Sequence, residues 1–77
     1  MNARPVKHSV TLKGHRTSIS LEDEFWLELR ALAAEKDIPI NALVAEIDVT
    51  RGTETGLASA IRLHVLHALK ARLSSAD

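Results

Sequence analysis

Seventy-seven residues hold a single domain, and the absence of cysteine removes both disulfides and thiolate metal sites as a means of stapling it. An apolar fraction of 45% supplies a core, but a chain this short buries little area alone, so pairing with a second copy is the remaining common remedy. No apolar run approaches a membrane span, and Met1-Asn2-Ala3-Arg4-Pro5 opens no apolar signal segment, so a cytoplasmic protein is expected.

Formal net charge is zero, which argues mildly against nucleic acid, but the charge is unevenly placed. Arg4, Lys7, Lys13 and Arg16 precede residue 17 with no acidic residue among them. That segment is therefore +4 and the remainder −4, a basic arm on an acidic body.

Residues 1–5 read as a flexible tail. From Val6 the pattern alternates: Val6, His8, Val10 and Leu12 on one face, Lys7, Ser9, Thr11 and Lys13 on the other. Period two is the mark of a half-buried strand, here at about 6–12. Lys13-Gly14 is a turn signal. A second alternation at about 15–21 places Thr17, Ile19 and Leu21 against Arg16, Ser18 and Ser20. With Lys13-Gly14 as a two-residue loop, Val6 opposes Leu21, His8 opposes Ile19, Val10 opposes Thr17 and Leu12 opposes His15. The polar face then pairs Lys7 with Ser20, Ser9 with Ser18 and Thr11 with Arg16. This register keeps like with like on each face, with His8 the awkward member of the inner one.

At Glu22 the period changes. Glu22, Asp23 and Glu24 suit the positive end of a helix dipole, and Ser20 with Asp23 forms an acidic variant of a capping box. Phe25, Leu29, Leu32 and Ala33 make an apolar stripe, widened by Trp26 and Leu27, over a helix at about 22–36. Asp37-Ile38-Pro39 ends it, because the residue before proline resists the α region. Pro39 opens a second helix, about 39–49, with Ile40, Leu43, Val44 and Ile47 on its apolar face. After a polar connection a third helix spans about 57–73. Its apolar residues, Leu57, Ile61, Leu63, Val65, Leu66, Leu69 and Leu73, spread around much of its circumference, as in a helix buried centrally or by a partner. Residues 74–77 read as a frayed end, and the domain as 6–73.

His64 and His67 stand three apart on the third helix, a spacing two imidazoles can use on one metal, but nothing nearby clearly supplies further ligands and a helical surface or interface pair is the better reading. The carboxylates at 22–24 are explained by a helix start. No nucleophile motif and no phosphate-binding glycine loop is present, so neither an enzyme nor a cofactor is expected. Trp26 reads as a core or interface anchor, since base stacking needs neighbouring aromatics and Phe25 is the only other one.

Arg16-Thr17-Ser18-Ile19-Ser20-Leu21-Glu22-Asp23-Glu24-Phe25 resembles the opening of ribbon-helix-helix proteins, in which an alternating strand runs into an acidic first turn and an amphipathic helix. Leu29, Leu32-Ala33, the break at Asp37 and Leu43-Val44 continue the resemblance. Gly14-His15-Arg16-Thr17-Ser18, Phe25-Trp26, Leu43-Val44-Ala45-Glu46-Ile47-Asp48 and Leu57-Ala58-Ser59-Ala60-Ile61-Arg62 together resemble a small bacterial subfamily with an extra N-terminal strand and a third helix. The resemblance implies an α+β, mostly α, homodimer whose strands pair about a two-fold axis and enter the DNA major groove. It implies that Arg16, Ser18 and Ser20 face the bases. The inward Thr17, Ile19 and Leu21, with Phe25, Trp26, Leu29, Leu43 and Ile47, then form the dimer core. Free amides at Ile40 and Asn41 would meet a phosphate, and Lys7 and Lys13 suit phosphates rather than bases.

Three features depart from that pattern. Pro39 replaces a capping Ser or Thr and carries no N–H. Asp37 stands where glycine is usual. The strand at 6–12 is additional, and a dimer of hairpins has four strands roughly 4.8 Å apart, too wide to lie flat inside a groove about 12 Å across. Either that strand swings away on DNA or the sheet does something other than enter the groove. The expectation is a sequence-specific duplex-DNA-binding transcriptional regulator. The alternative is a protein–protein interaction module on the same scaffold, taking a partner through the third helix.

Overall fold

The computed structural model describes residues 4–75; the expected tail and frayed end lie partly outside them, at 1–3 and 76–77. The chain order is β1 (Pro5–Leu12), β2 (His15–Glu22), α1 (Asp23–Glu35), α2 (Ile40–Thr50) and α3 (Leu57–Ser74). The two strands form an antiparallel hairpin with Val6 opposite Leu21, His8 opposite Ile19, Val10 opposite Thr17 and Leu12 opposite His15, the register that face-matching predicts. Lys13 (φ 52°) and Gly14 (φ 79°) both take positive φ in the two-residue loop. This is the condition for a type I′ turn, whose twist matches that of the flanking strands.

The three helices cover one face of the hairpin. Val10, Ile19 and Leu21 pack with Leu29 and Ala33 of α1, Leu43, Val44 and Ile47 of α2, and Ala60, Ile61 and Val65 of α3. Among the described residues no polar or charged residue is buried with them. Val10 is only 2% exposed, whereas Val6, at the open end of the same strand, is 42% exposed. The additional strand is thus an integral wall of the core. His8, unplaceable by pattern alone, lies flat on Trp26 with ring centroids 4.1 Å apart and planes 11° from parallel. Its Nε2 is buried without a hydrogen-bond partner, 3.6 Å from an Asp23 carboxylate oxygen, too far for a hydrogen bond.

Several local details differ from expectation. Ser20 remains within β2 and caps nothing. Glu22 is the N-cap of α1, makes no side-chain cap, and sends its carboxylate to Arg62 of α3, which donates from Nε (2.8 Å) and from Nη2 (3.0 Å). That guanidinium, also 5.9 Å from the Phe25 ring centre, holds the Glu22 carboxyl below its ordinary pKa. Pro39 is the N-cap of α2 rather than its first helical residue. Leu27, counted with the apolar stripe of α1, is 62% exposed and faces away from the core.

α1 ends through backbone geometry. Asp37 takes φ +57°; its N–H donates to the Ala34 carbonyl and that of Ile38 to Ala33, each at 3.0 Å. The two bonds form a Schellman motif, in which the left-handed position favours glycine and tolerates aspartate.

Candidate nucleic-acid interface

The face of the hairpin away from the helices carries Lys7, Ser9 and Thr11 on β1 and Arg16, Ser18 and Ser20 on β2, all exposed. Lys13 is exposed at the turn. In a two-residue hairpin the loop-flanking pair, Leu12 with His15, is hydrogen-bonded, and so is every second pair after it. The backbone groups of Arg16, Ser18 and Ser20 therefore point away from β1, along the free edge of β2. Those of Lys7, Ser9 and Thr11 point away from β2. One contact corroborates the phase independently: the Thr11 N–H donates to Oδ1 of Asn41 at 3.2 Å.

That bond ties the outer edge of β1 to the first turn of α2. Within the first turn, Ala42 and Leu43 donate to the Pro39 carbonyl, which leaves the amides of Ile40 and Asn41 outside the helix's own ladder. The expected phosphate contacts therefore stand beside β1, with β1 between them and the expected base readers on β2. Sequence spacing gave no sign of this contact, because Thr11 and Asn41 are 30 residues apart.

Beneath the free edge of β2 lies an open cleft of about 510 Å³, lined by Thr17, Ile19, Leu57 and Ala58, with the polar Asp48 and Arg51 at its side. Arg51 is held by Asp48 (2.7 Å) and by the Thr55 carbonyl (2.6 Å). Of the residues assigned to a dimer core, Ile19, Leu21, Leu29, Leu43 and Ile47 are already buried within one chain, and Phe25 and Trp26 are half-buried. Thr17 is exposed and lines the cleft.

On α3, Ala60, Ile61 and Val65 face the core, while Leu63, Leu66 and Leu73 are exposed, the last at 75%. Burial holds the His64 imidazole below its ordinary pKa; nearby Lys36 and His67 act in the same direction and Glu46 against it. Among the described residues no group of three or more His, Cys, Asp or Glu is placed to hold a metal. No helix there is long and apolar enough to cross a membrane.

A family description, ribbon-helix-helix domain, matches residues 5–69. No curated protein and no solved structure matches the chain significantly.

Proposed function

The chain belongs to the ribbon-helix-helix family, whose members are typically DNA-binding transcription regulators, and on that premise we propose that it acts as a cytoplasmic homodimer that binds double-stranded DNA sequence-specifically. No catalysis or cofactor enters this reading. The observation that carries it is the exposed outward face from Lys7 to Ser20, which presents Lys7, Ser9, Thr11, Arg16, Ser18 and Ser20 with no carboxylate among them, beside an unpaired strand edge. A face of hydroxyls and cations suits phosphates and base edges. Single-strand binding by stacking is disfavoured, because both aromatic residues lie on the helical side of the sheet.

The dimer forms along the free edge of β2. An antiparallel pairing centred on Ser18 places Arg16 opposite Ser20 of the second copy and makes use of all three outward-pointing backbone pairs. A register shifted by two residues toward the Lys13-Gly14 turn leaves one of them unpaired, and one shifted the other way must extend onto Glu22, the N-cap of α1. The same pairing sets Thr17 against the second copy's Ile19 over the cleft, which removes Thr17 from solvent. Lys7, Lys13 and the Ile40 and Asn41 amides then flank the paired strands as phosphate contacts.

Sedimentation equilibrium together with duplex-DNA anisotropy at low salt tests this reading. The wild type is expected to be a dimer at micromolar concentration and to bind duplex. Ser18→Pro removes an edge amide without touching the β1 ladder, and is expected to give a folded monomer that has lost DNA binding. A wild-type monomer, or a dimer without affinity for duplex, overturns it. Leu63, Leu66 and Leu73 exposed on α3 favour the second reading, a protein-interaction module, and a dimer that ignores DNA makes that the better one.

A further inference from the structure

Resting on the DNA-binding reading above, we infer that the sheet sits across the rims of the major groove instead of descending into it, so that Arg16 alone reads bases, Ser18 and Ser20 read none, and Lys7 clamps the phosphate backbone.

Val10 fixes β1 in the sheet. Because this residue is buried against the helices and β1 is paired with β2 along its whole length, β1 cannot leave the sheet without opening the core. The DNA-facing surface of the dimer is therefore β1-β2-β2-β1, never a bare two-stranded ribbon. With strands roughly 4.8 Å apart, the two β2 strands lie about 2.4 Å either side of the two-fold axis, and the two β1 strands about 7.2 Å out. A major groove about 12 Å wide has its rims about 6 Å from its centre line. The inner pair thus spans the opening while each outer strand lies over a sugar–phosphate backbone.

Depth then separates the outward side chains. The groove floor is about 8.5 Å below its rims. A serine hydroxyl lies two bonds, roughly 2.5 Å, from its Cα, whereas an extended arginine carries its guanidinium roughly 7 Å out. From a sheet resting at rim level, Ser18 and Ser20 stop far short of the base edges and only the arginine fork approaches them. Lys7 is exposed on the outward face of β1, over the backbone, where an ammonium meets phosphate as a point charge.

Spacing follows from the same pairing. Centring on Ser18 puts the two Arg16 residues four positions apart along the strands, about 14 Å at a rise of about 3.4 Å per residue. Because the groove runs oblique to the helix axis, each base pair takes up more than its axial rise of about 3.4 Å along it, and the two arginines reach two G·C pairs roughly two to four base pairs apart, disposed symmetrically about the dyad.

The test is selection of random duplexes at fixed salt by the wild type and by Arg16→Ala, Ser18→Ala, Ser20→Ala and Lys7→Gln, with thermal melting to confirm that each variant folds. Arg16, Ser18, Ser20 and Lys7 have no side-chain hydrogen bond or ion pair among the described residues, so melting should be unchanged. The expected wild-type site has two symmetric G·C pairs roughly two to four base pairs apart. Arg16→Ala should erase the preference, a loss of about 10- to 100-fold in discrimination. Ser18→Ala and Ser20→Ala should leave the preferred sequence as it is. Lys7→Gln should weaken all duplexes alike and reduce the salt slope by about 1.8, for two phosphates per dimer. If either serine variant changes base preference as strongly as Arg16→Ala, or Arg16→Ala keeps the wild-type site, rim seating is wrong although DNA binding stands. If the wild type selects no duplex, the underlying reading itself has failed.

Discussion

Replacing Val10 with alanine tests whether the additional strand is a wall of the core or an arm laid against it. Val10 is 2% exposed and belongs to the buried core that Ile19 and Leu21 share with residues of all three helices. The substitution deletes two methyl groups, about 1.6 kcal/mol of transfer free energy at about 0.8 kcal/mol each. The cavity left behind adds up to about 1 kcal/mol if its surroundings do not collapse. A loss of about 2–3 kcal/mol is large against the roughly 4–12 kcal/mol available to a domain of this length. At about 4–8 °C per kcal/mol, it lowers Tm by about 10–20 °C. Val6→Ala is the internal control: Val6 is 42% exposed, and its loss should cost less than about 1 kcal/mol. Both proteins are melted by circular dichroism at one fixed concentration, because the proposed dimerisation would make Tm concentration-dependent. Equal and small shifts for the two variants would refute the integral-strand argument and, with it, the claim that β1 stays in place on DNA.

Other consequences follow from particular contacts. Glu22 is held below its ordinary pKa chiefly by Arg62, so its contribution to stability is full above about pH 4.3 and is lost as pH falls through its depressed folded value. Glu22→Gln should flatten the acid limb of a Tm-against-pH curve, and an unaltered limb removes the clamp from the account. His64 is held low by burial, so the unfolded chain takes up its proton first. The resulting stability is complete above about pH 6.5 and declines on acidification below it, a slope that His64→Gln should reduce in the same melting series. Asp37→Gly relieves a left-handed φ of +57° and should raise stability by about 1 kcal/mol, seen as a rise in denaturant midpoint with unchanged m-value; a fall would mean that the aspartate side chain itself holds the turn.

Legibility in the sequence tracked how local each cause is. The hairpin register was readable because alternation on both strands and one Lys-Gly turn constrain it jointly, and both turn residues do take positive φ. The helix break after Lys36 was readable from Asp37-Ile38-Pro39, although the stop is a Schellman turn at Asp37 and the proline serves as the next N-cap. What pattern could not supply were contacts between distant residues. Glu22 looked like part of an acidic helix start, but its partner Arg62 lies 40 residues away. Asn41 reads in sequence only as a phosphate contact, whereas the structure shows its side chain holding β1 through the Thr11 amide. His8, which disrupts an otherwise apolar face, makes sense only once α1 brings Trp26 over it. Leu27 and Leu73 show the reverse limit: apolar residues at helical spacing need not face the core.

The central claim is that the outward sheet face of a β2-paired dimer binds duplex DNA, and unbiased selection from a random duplex pool at defined low salt tests it most directly. The account predicts enrichment of a two-fold-symmetric site by the wild type, weakening steeply as salt is raised, and no such site with Arg16→Ala. A wild-type protein that is dimeric and folded but enriches no duplex sequence, or an Arg16→Ala protein that enriches the same site, contradicts it.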